Sequence, residues 1–208
     1  MSRPRQERAV RTRERIIRAA AEVFDESGFS GGSISKIVNR AGTTMGAMYH
    51  HFSSKEDVAR AVMAEQDADL DFPPGEDGLQ RLLDISMELA RQLRTSVLFR
   101  AGVRLAVEQG DFNMRESAPY ELWIKRFTEQ LVAAEKSGDL LPGVDVADFA
   151  RALVGAYSGT QLLSEISTGR ADLIERIAAM WRYLLPGIAS PETIARLRIE
   201  AAPEGSTA

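Results

Sequence analysis

The chain has 208 residues, 44% of them hydrophobic and 27% charged, so it is globular and long enough for one sizeable core or two smaller ones. It contains no cysteine, which excludes thiol catalysis, disulfides and thiolate zinc sites and suits a reducing cytoplasm. The net charge of -4 divides unevenly: residues 1–60 carry +4 and residues 61–208 carry -8, so the N-terminal part favours a polyanion.

The N-terminal segment combines basic residues with no apolar region of the kind found in signal peptides, and no run of about 18 apolar residues occurs. We therefore expect a cytoplasmic protein with no membrane partner. Seven arginines lie among the first 18 residues, and they fit either a solvated helix face or a surface for a polyanion.

The first predicted helix is RERIIRAAAEVFDESGF, whose apolar residues recur at spacings of three and four and which should stop at Gly28. Ser33 is the expected N-cap of a second, short helix, ISKIVNRA. Lys36 stands where a capping box would have glutamate, so this cap is incomplete.

A third short helix, MGAMYHH, follows the break at Gly42, with Thr43 and Thr44 as cap candidates. FSSKED then begins a fourth helix, in which Ser53 and Glu56 have capping-box spacing. Two short helices around a glycine-containing turn predict a helix-turn-helix at about residues 33–52.

In a helix-turn-helix the first turn of the second helix enters the major groove of DNA. Thr44 and Gly46 would let the backbone approach the duplex, and Met48 should point to the core. The predicted DNA-binding residues are Ser33, Thr43, Thr44, Met45, Gly46, Tyr49, His50, His51 and Lys55.

The run from Ser33 to Phe52, followed by SSKED, resembles the DNA-binding unit of the TetR family of transcriptional repressors, in which an aromatic YxHF segment precedes a lysine. The likeness covers about residues 10–60. Met45 departs from it, because lysine is frequent there in the family; an apolar contact, such as one to a thymine methyl group, would replace a phosphate contact.

The adjacent histidines His50 and His51 do not favour a metal site. Neighbouring residues on a helix point about 100° apart, so they cannot chelate one ion as an i, i+4 pair can. No cysteine or third histidine is available. We expect His50 to face the groove and His51 to contact a phosphate or end the helix, with no metal and no cofactor.

Beyond the linker DFPPGE, at residues 71–76, helical periodicity dominates and no strand alternation is found. The expected helices lie at about 77–94, 96–109, 118–137, 145–168, 171–186 and 191–201. The predicted fold is all-α, with an N-terminal three-helix DNA-binding domain over residues 1–53, a larger helical ligand-binding and dimerisation domain over 54–202, and a tail at 203–208.

The segments FRAGVRLAVE, PYELWIKRF, SGT at 158–160 and AAMWRYLLPG together resemble the γ-butyrolactone autoregulator receptors, a group of TetR-family repressors that sense small lactones or butenolides. This resemblance implies an aromatic wall at Trp123, a hydroxyl donor at Thr160 and a polar anchor at Gln66 on the fourth helix. An apolar pocket would suit such a ligand. The full set of expected ligand-binding residues is Gln66, Val97, Phe99, Val103, Leu122, Trp123, Phe127, Tyr157 and Thr160.

The resemblance also implies a homodimer through the two long C-terminal helices, which would place two recognition helices on one face of a double-stranded operator. The expected function is a ligand-responsive transcriptional repressor that releases its operator on binding a γ-butyrolactone or butenolide-like signal. The alternative is an orphan pseudo-receptor or multidrug-type regulator that senses an antibiotic or another small apolar compound. No GxSxG, glycine-rich phosphate loop or HExxH occurs, so we expect no enzyme and no catalytic residues.

Overall fold

A computed structural model describes residues 3–72, 74–112 and 115–199 of the chain. Within these ranges the fold is all-α, as predicted, and the only extended pairing is an isolated bridge between Leu140 and Ala189. The helices are α1 (Arg3–Gly31), α2 (Ile34–Arg40), α3 (Met45–His51), α4 (Lys55–Ala64), α5 (Leu79–Thr95), α6 (Val97–Val107), α7 (Ala118–Lys136), α8 (Val146–Thr168), α9 (Leu173–Leu184) and α10 (Pro191–Arg196).

The helices form two compact units. The first comprises Met1–Leu70 and Thr95–Pro119, and the second comprises Asp71–Arg94 and Tyr120–Ala208. The first unit therefore contains α6 as well as the helix-turn-helix, whereas the expected domain division at residue 53 follows the DNA-binding motif alone. The expected tail at 203–208 lies outside the described residues.

The core of the first unit forms on the apolar face of α1, where Ile16, Ala20 and Phe24 are fully buried. Helix α1 packs mainly against α6 and also against α2 and α4. Ile37 of α2 and Met48 of α3 complete this core at 0% exposure. Each short helix is thus held by apolar side chains that it cannot bury alone.

The core of the second unit includes the fully buried Leu82 and Leu83 of α5, Leu131 of α7, Leu153 of α8 and Trp181 of α9. Helices α8 and α9 pack directly against each other. Gly169, with φ of 61°, ends α8 in the left-handed conformation that glycine adopts without strain. This end allows the chain to turn back into α9.

Local signals placed most helix ends correctly. The helices expected at 77–94, 96–109, 118–137, 145–168 and 171–186 agree with α5 to α9 within two residues at each end. The last one is shorter than expected, because α10 ends at Arg196 rather than near residue 201, and residues 200 and 201 lie outside the described part.

The regular part of α1 ends at Gly28, as expected, because Gly28 has φ of 66° and ψ of -178°, and a short helical segment continues beyond this kink to Gly31. The expected cap of the fourth helix needs correction. The cap of α4 is Ser54, not Ser53, and its hydroxyl accepts from the amide of Asp57 at 3.1 Å. The Asp57 carboxylate in turn accepts from the amide of Ser53 at 3.1 Å. Aspartate, rather than Glu56, thus serves this helix end.

Helix α4 is also shorter than expected, and Gln66 lies in the turn that follows it. The C-cap is Glu65, whose carboxylate pairs with Arg13 of α1. Asp67 and Asp69 come next, and negative charges are unfavourable at the C-terminal end of a helix dipole. The ion pair between Glu65 and Arg13, together with the acidic residues that follow, accounts for the early end of α4.

Candidate nucleic-acid interface and effector site

Helix α3 exposes the residues that the sequence assigns to DNA. Gly42, with φ of 57°, makes the preceding turn, and the Thr44 hydroxyl caps the helix by accepting from the amide of Ala47 at 3.1 Å. Met48 is fully buried, so the opposite face turns outward: Met45 is 43% exposed and Tyr49 is 54% exposed. Gly46 and His50 are exposed beside them, whereas Thr43 and His51 are half-buried. The outward face is short, capped and mostly uncharged.

The turn before α3 is fixed by α1. The Arg15 guanidinium donates to the carbonyl of Ala41 at 2.5 Å and to that of Gly42 at 2.9 Å. These carbonyls lie in the turn after α2. Because the helix has ended, no amide from a further turn of it can donate to them. The sequence analysis missed this role, because the two partners are 26 and 27 residues away along the chain.

His51 lies between two other rings, with centroids 5.1 Å from His50 and 6.4 Å from Phe52. Partial burial lowers the pKa of His51, and the charges of His50 and Arg13 lower it further. At neutral pH its imidazole is therefore predominantly neutral, and it can offer a hydrogen bond rather than a full charge to a phosphate. No group of three or more acidic or histidine side chains is placed to hold a metal ion among residues 3–72, 74–112 and 115–199.

Besides Thr44, two more residues expected at the DNA have partners within the protein. Ser33 caps α2 by accepting from the amide of Lys36 at 3.3 Å. Lys55 donates to the carbonyls of Phe29 at 2.9 Å and Gly32 at 3.1 Å, and its ammonium lies 4.0 Å from the centroid of the Phe29 ring. Lys55 therefore holds the end of α1 against the start of α4. One of its three N–H groups is left for a phosphate, and that contact stays a prediction.

Helix α6 is joined to the end of α1 by a polar cluster, which we call the α1–α6 clasp: Asp25, Gly28 and Phe29 of α1 with Arg100, Arg104 and Glu108. The Arg100 guanidinium pairs with the Asp25 carboxylate, with its Nη2 at 2.8 Å. Arg104 donates to the Asp25 carbonyl at 2.7 Å, and the Glu108 carboxylate accepts from the amide of Phe29 at 2.8 Å. The Arg100 and Asp25 side chains are only 20% and 21% exposed, so this pair, with the two bonds to the backbone of α1, couples movement of α6 to α1.

Gln66 packs against α6 beside the expected effector residues Phe99 and Val103. It is 2% exposed, and a Cβ atom built on Gly102 would lie 2.4 Å from the Gln66 Cβ, so glycine is required there. The Gln66 Oε1 is buried and accepts no hydrogen bond from the described residues. Phe99 is 2% exposed, and Val97 and Val103 are half-buried. A buried acceptor without a donor is a candidate anchor for a ligand hydroxyl.

In the second unit, Trp123 and Phe127 lie one turn apart on α7 with ring centroids 6.4 Å apart, and the Arg126 guanidinium lies 5.1 Å from the Trp123 ring. Leu122 and Thr160 are half-buried. The Tyr157 hydroxyl donates to the carbonyl of Ser86 at 3.1 Å within the core, and the expected role of Tyr157 in lining the effector site stays a prediction. Burial raises the pKa of that hydroxyl.

Ser86 of α5 is a polar junction that the sequence analysis missed. Its hydroxyl accepts from the indole N–H of Trp181 at 2.7 Å and donates to the carbonyl of Leu83 at 2.8 Å. Together with the bond from Tyr157, one buried residue connects α5, α8 and α9. The only sequence signal is a serine within the apolar face of a helix.

Among the described residues of the second unit, the exposed large apolar side chains lie on helices α8 and α9. Leu162, Leu163 and Ile166 of α8 are 41%, 59% and 74% exposed, and Tyr183 of α9 is 87% exposed. Gly155 and Gly159 lie on the same side of α8, with nothing within 4 Å of an added Cβ atom. Exposed apolar surface of this kind, with small residues beside it, is typical of a face that a second helix covers.

Two family models match the chain. Residues 16–62 match the tetR family of bacterial regulatory proteins, and residues 76–190 match the tetracyclin repressor-like C-terminal domain. The chain belongs to the TetR family. Its homologues are transcriptional regulators, and the TetR-type repressor expected from the sequence is confirmed at this level.

Among TetR-family relatives, the chain is 40% identical to the A-factor receptor protein of Streptomyces griseus over 94% of this chain and 70% of the relative. The crystal structure of TylP, a TetR regulator from Streptomyces fradiae, has a TM-score of 0.78 at 41% identity and covers 93% of each chain. That of a γ-butyrolactone receptor, an ArpA-like protein, has a TM-score of 0.70 at 33% identity and covers 91% of this chain and 94% of that one. The resemblance to γ-butyrolactone receptors is therefore confirmed by the comparison with solved structures. Across the described ranges, no helix of this TetR-family chain is long and apolar enough to cross a membrane.

Proposed function

We propose that this protein is a cytoplasmic, homodimeric repressor that binds double-stranded operator DNA through α3 and releases it on binding a γ-butyrolactone or butenolide-like effector. The observation that carries the DNA-binding part is the outward face of α3, where Met45, Tyr49 and His50 are exposed while Met48 anchors the helix from below. The exposed tyrosine and methionine leave apolar surface in contact with water. Binding in a groove of DNA would remove this surface from water.

Tyr49→Ala tests this assignment. The operator is first selected from a random pool of duplexes with the full-length protein, and affinities are then measured by fluorescence anisotropy. We expect operator binding to be about 5- to 150-fold weaker, which corresponds to the roughly 1–3 kcal/mol of one good base contact in the groove. Val107→Ala, which also trims an exposed apolar residue, is the control and should bind like the wild type. Equal affinities of Tyr49→Ala and the control would refute the assignment.

The effector would bind where the apolar residues meet few polar groups, as small-molecule sites generally do. In the first unit the proposed effector residues are Phe99, Val103 and Gln66, whereas Trp123, Phe127 and Thr160 of the second unit are proposed on the resemblance alone. The buried Gln66 Oε1 supports a ligand with a hydroxyl group, because an acceptor left without a donor costs roughly 1–3 kcal/mol that a ligand donor recovers.

Trp123→Ala should keep operator binding and lose the response to a γ-butyrolactone, measured as release of labelled operator. Because removing a buried tryptophan costs about 3–5 kcal/mol, Trp123→Leu is measured as well, and circular dichroism checks both folds. Titration with an aromatic antibiotic distinguishes the alternative, a multidrug-type sensor. Release by the lactone at wild-type concentrations in both variants would rule out Trp123 as an effector contact.

Release requires that effector binding reach the helix-turn-helix, and the α1–α6 clasp provides a route. Phe99 and Val103 alternate on α6 with Arg100 and Arg104, which hold Asp25 of α1. An effector that shifts α6 would therefore move α1 through these short charged contacts. The packing between α4 and α6 would not be the only connection between the effector and the helix-turn-helix. The effector need only bind the shifted state more tightly than the DNA-bound one.

For the dimer, the exposed stripe of Gly159, Leu163 and Ile166 on α8, with Tyr183 on α9, is the proposed interface. Leu163→Glu should give a monomer in sedimentation velocity and weaken operator binding, because a charge would be buried in an apolar contact. Val107→Glu, which places the same charge on an exposed site elsewhere, should leave the dimer intact. A dimeric Leu163→Glu variant would exclude this face.

A further inference from the structure

Helix α1 extends well beyond the core that it helps to form. It begins at Arg3, with Pro4 in its first turn, yet Ile16 is the first buried residue among the side chains that the structure describes. Residues 6–8, 10 and 11 are exposed in the described part of the chain. The extension is therefore a polar helix surface that faces solvent rather than the core.

The extension is strongly basic. Residues 3–18 contain seven arginines and two glutamates, giving a charge of +5. Arg8, Arg11, Arg15 and Arg18 are spaced by three, four and three residues, which places them on one side of the helix as a stripe, here called the arginine stripe. Glu7 and Glu14 border it on one side only.

The two halves of the arginine stripe differ in their partners. Arg18 forms a two-pronged ion pair with Asp69, at 3.1 and 3.3 Å, and Arg15 donates to the turn before α3. Arg8 and Arg11 are exposed, and neither guanidinium makes a hydrogen bond or ion pair with any residue that the structure describes. The half nearer the N-terminus therefore keeps its full charge available.

The stripe is continuous with the DNA-binding face. Arg15 touches the carbonyls of Ala41 and Gly42, and Thr44, two residues later, caps α3. Arg11 lies one helical turn beyond Arg15 on the same side, about 6 Å further along α1, and Arg8 lies about 10 Å further. The arginine stripe therefore extends the basic surface by about 10 Å along α1 from Arg15.

We propose that Arg8 and Arg11 bind the phosphate backbone of operator DNA outside the base pairs that α3 reads, so that each subunit has a second DNA contact on the extension of α1. This inference rests on the proposed function, and it adds a footprint that the helix-turn-helix alone does not account for. The occupant is duplex DNA, because the stripe adjoins the helix-turn-helix and its charge matches a polyanion.

The test compares the wild type with the double variant Arg8→Gln and Arg11→Gln, since glutamine keeps helix propensity and removes the charge. Lys125→Gln and Lys136→Gln, two exposed lysines of α7, give a control with the same change in charge. Binding is measured between 0.1 and 1 M salt on two duplexes: a short one that ends at the base pairs contacted by α3, and one with about five additional base pairs on each side.

Each phosphate contact contributes about 0.9 to the slope of log affinity against log salt, so losing two lowers the slope by about 1.8. If the affinities converge at 1 M, the double variant binds the long duplex up to about 60-fold more weakly at 0.1 M salt. The wild type and the lysine control should prefer the long duplex, and the arginine variant should bind both duplexes alike.

Wild-type slope and affinity in the arginine variant would overturn the proposal, and so would an equal loss on the short and long duplexes, which would place the arginines within the half-site. Circular dichroism checks that the extension stays helical. A wild-type protein that binds no duplex would instead refute the proposed function, and specific capture of anionic vesicles without DNA binding would assign the stripe to a membrane surface.

Discussion

Replacing Gly28 by alanine should strongly destabilise the protein, because this glycine lets the end of α1 meet α6. Its φ of 66° and ψ of -178° lie in a region essentially restricted to glycine, and forcing another residue there costs about 1–3 kcal/mol. An added Cβ atom would also lie 2.9 Å from Arg104 Nη2 and from both carboxylate oxygens of Glu108.

These side-chain ends can move, but their hydrogen bonds would be lost. Glu108 accepts from the Phe29 amide at 2.8 Å, and an amide left without an acceptor costs a further 1–3 kcal/mol, approximately. The free energy of unfolding of Gly28→Ala should therefore fall by about 2–6 kcal/mol.

Equilibrium urea unfolding followed by tryptophan fluorescence measures this change, at one protein concentration because a dimer gains stability by mass action. The matched control is Gly110→Ala, since Gly110 is exposed with no atom within 4 Å of an added Cβ, and it should lie within about 0.5 kcal/mol of the wild type. A loss below about 0.5 kcal/mol for Gly28→Ala would refute the strain and the steric argument together.

Three further measurements concern the second unit. Burial raises the pKa of Tyr157 above its ordinary 10.0, so stability should fall as pH rises past about 10, where unfolded tyrosine ionises; Tyr157→Phe should remove its share of this dependence in alkaline urea titrations. Hydrogen bonds from Ser164 and Arg176 lower the pKa of Asp172 to about 2, so its stabilisation is present above about 3.8 and lost as pH falls towards 2. Asp172→Asn should accordingly be less stable than the wild type at pH 7 and converge with it near pH 2, and a constant difference would contradict this. Ser86→Ala removes the acceptor of the Trp181 indole and should cost about 1–3 kcal/mol in thermal unfolding, whereas a neutral result would mean that another group receives that N–H.

Much of the local structure could be predicted because its causes are local. Ser33 and Thr44 cap α2 and α3 as expected, since a cap needs only a hydroxyl three residues before an amide. The apolar spacing in α5 to α9 gave their ends within two residues. At Ser53 and Ser54 the same signal was ambiguous, because two adjacent serines and two adjacent acids allow two cap registers, and packing selected the second.

The candidate site could be predicted only in part. The outward face of α3 followed from the period of the helix, with Met48 inward and Tyr49 outward. The internal bonds of Lys55 could not be foreseen, because its carbonyl partners lie 23 and 26 residues earlier in the chain. Equally, nothing near Gln66 in sequence indicates that it packs against Gly102.

The sequence by itself determined which segments are helical, where most of their caps lie, which side of each helix is apolar and which end of the chain is basic, because each depends on residues within one or two turns. Only the tertiary structure decided that α6 belongs with α1, that Gly28 is a kink inside the clasp with Arg104 and Glu108, and that Arg15 holds a turn while Arg8 and Arg11 keep their charge available. Those outcomes depend on pairs of groups far apart along the chain. No local pattern specifies such pairs, because burial and charge pairing are settled only when the helices pack.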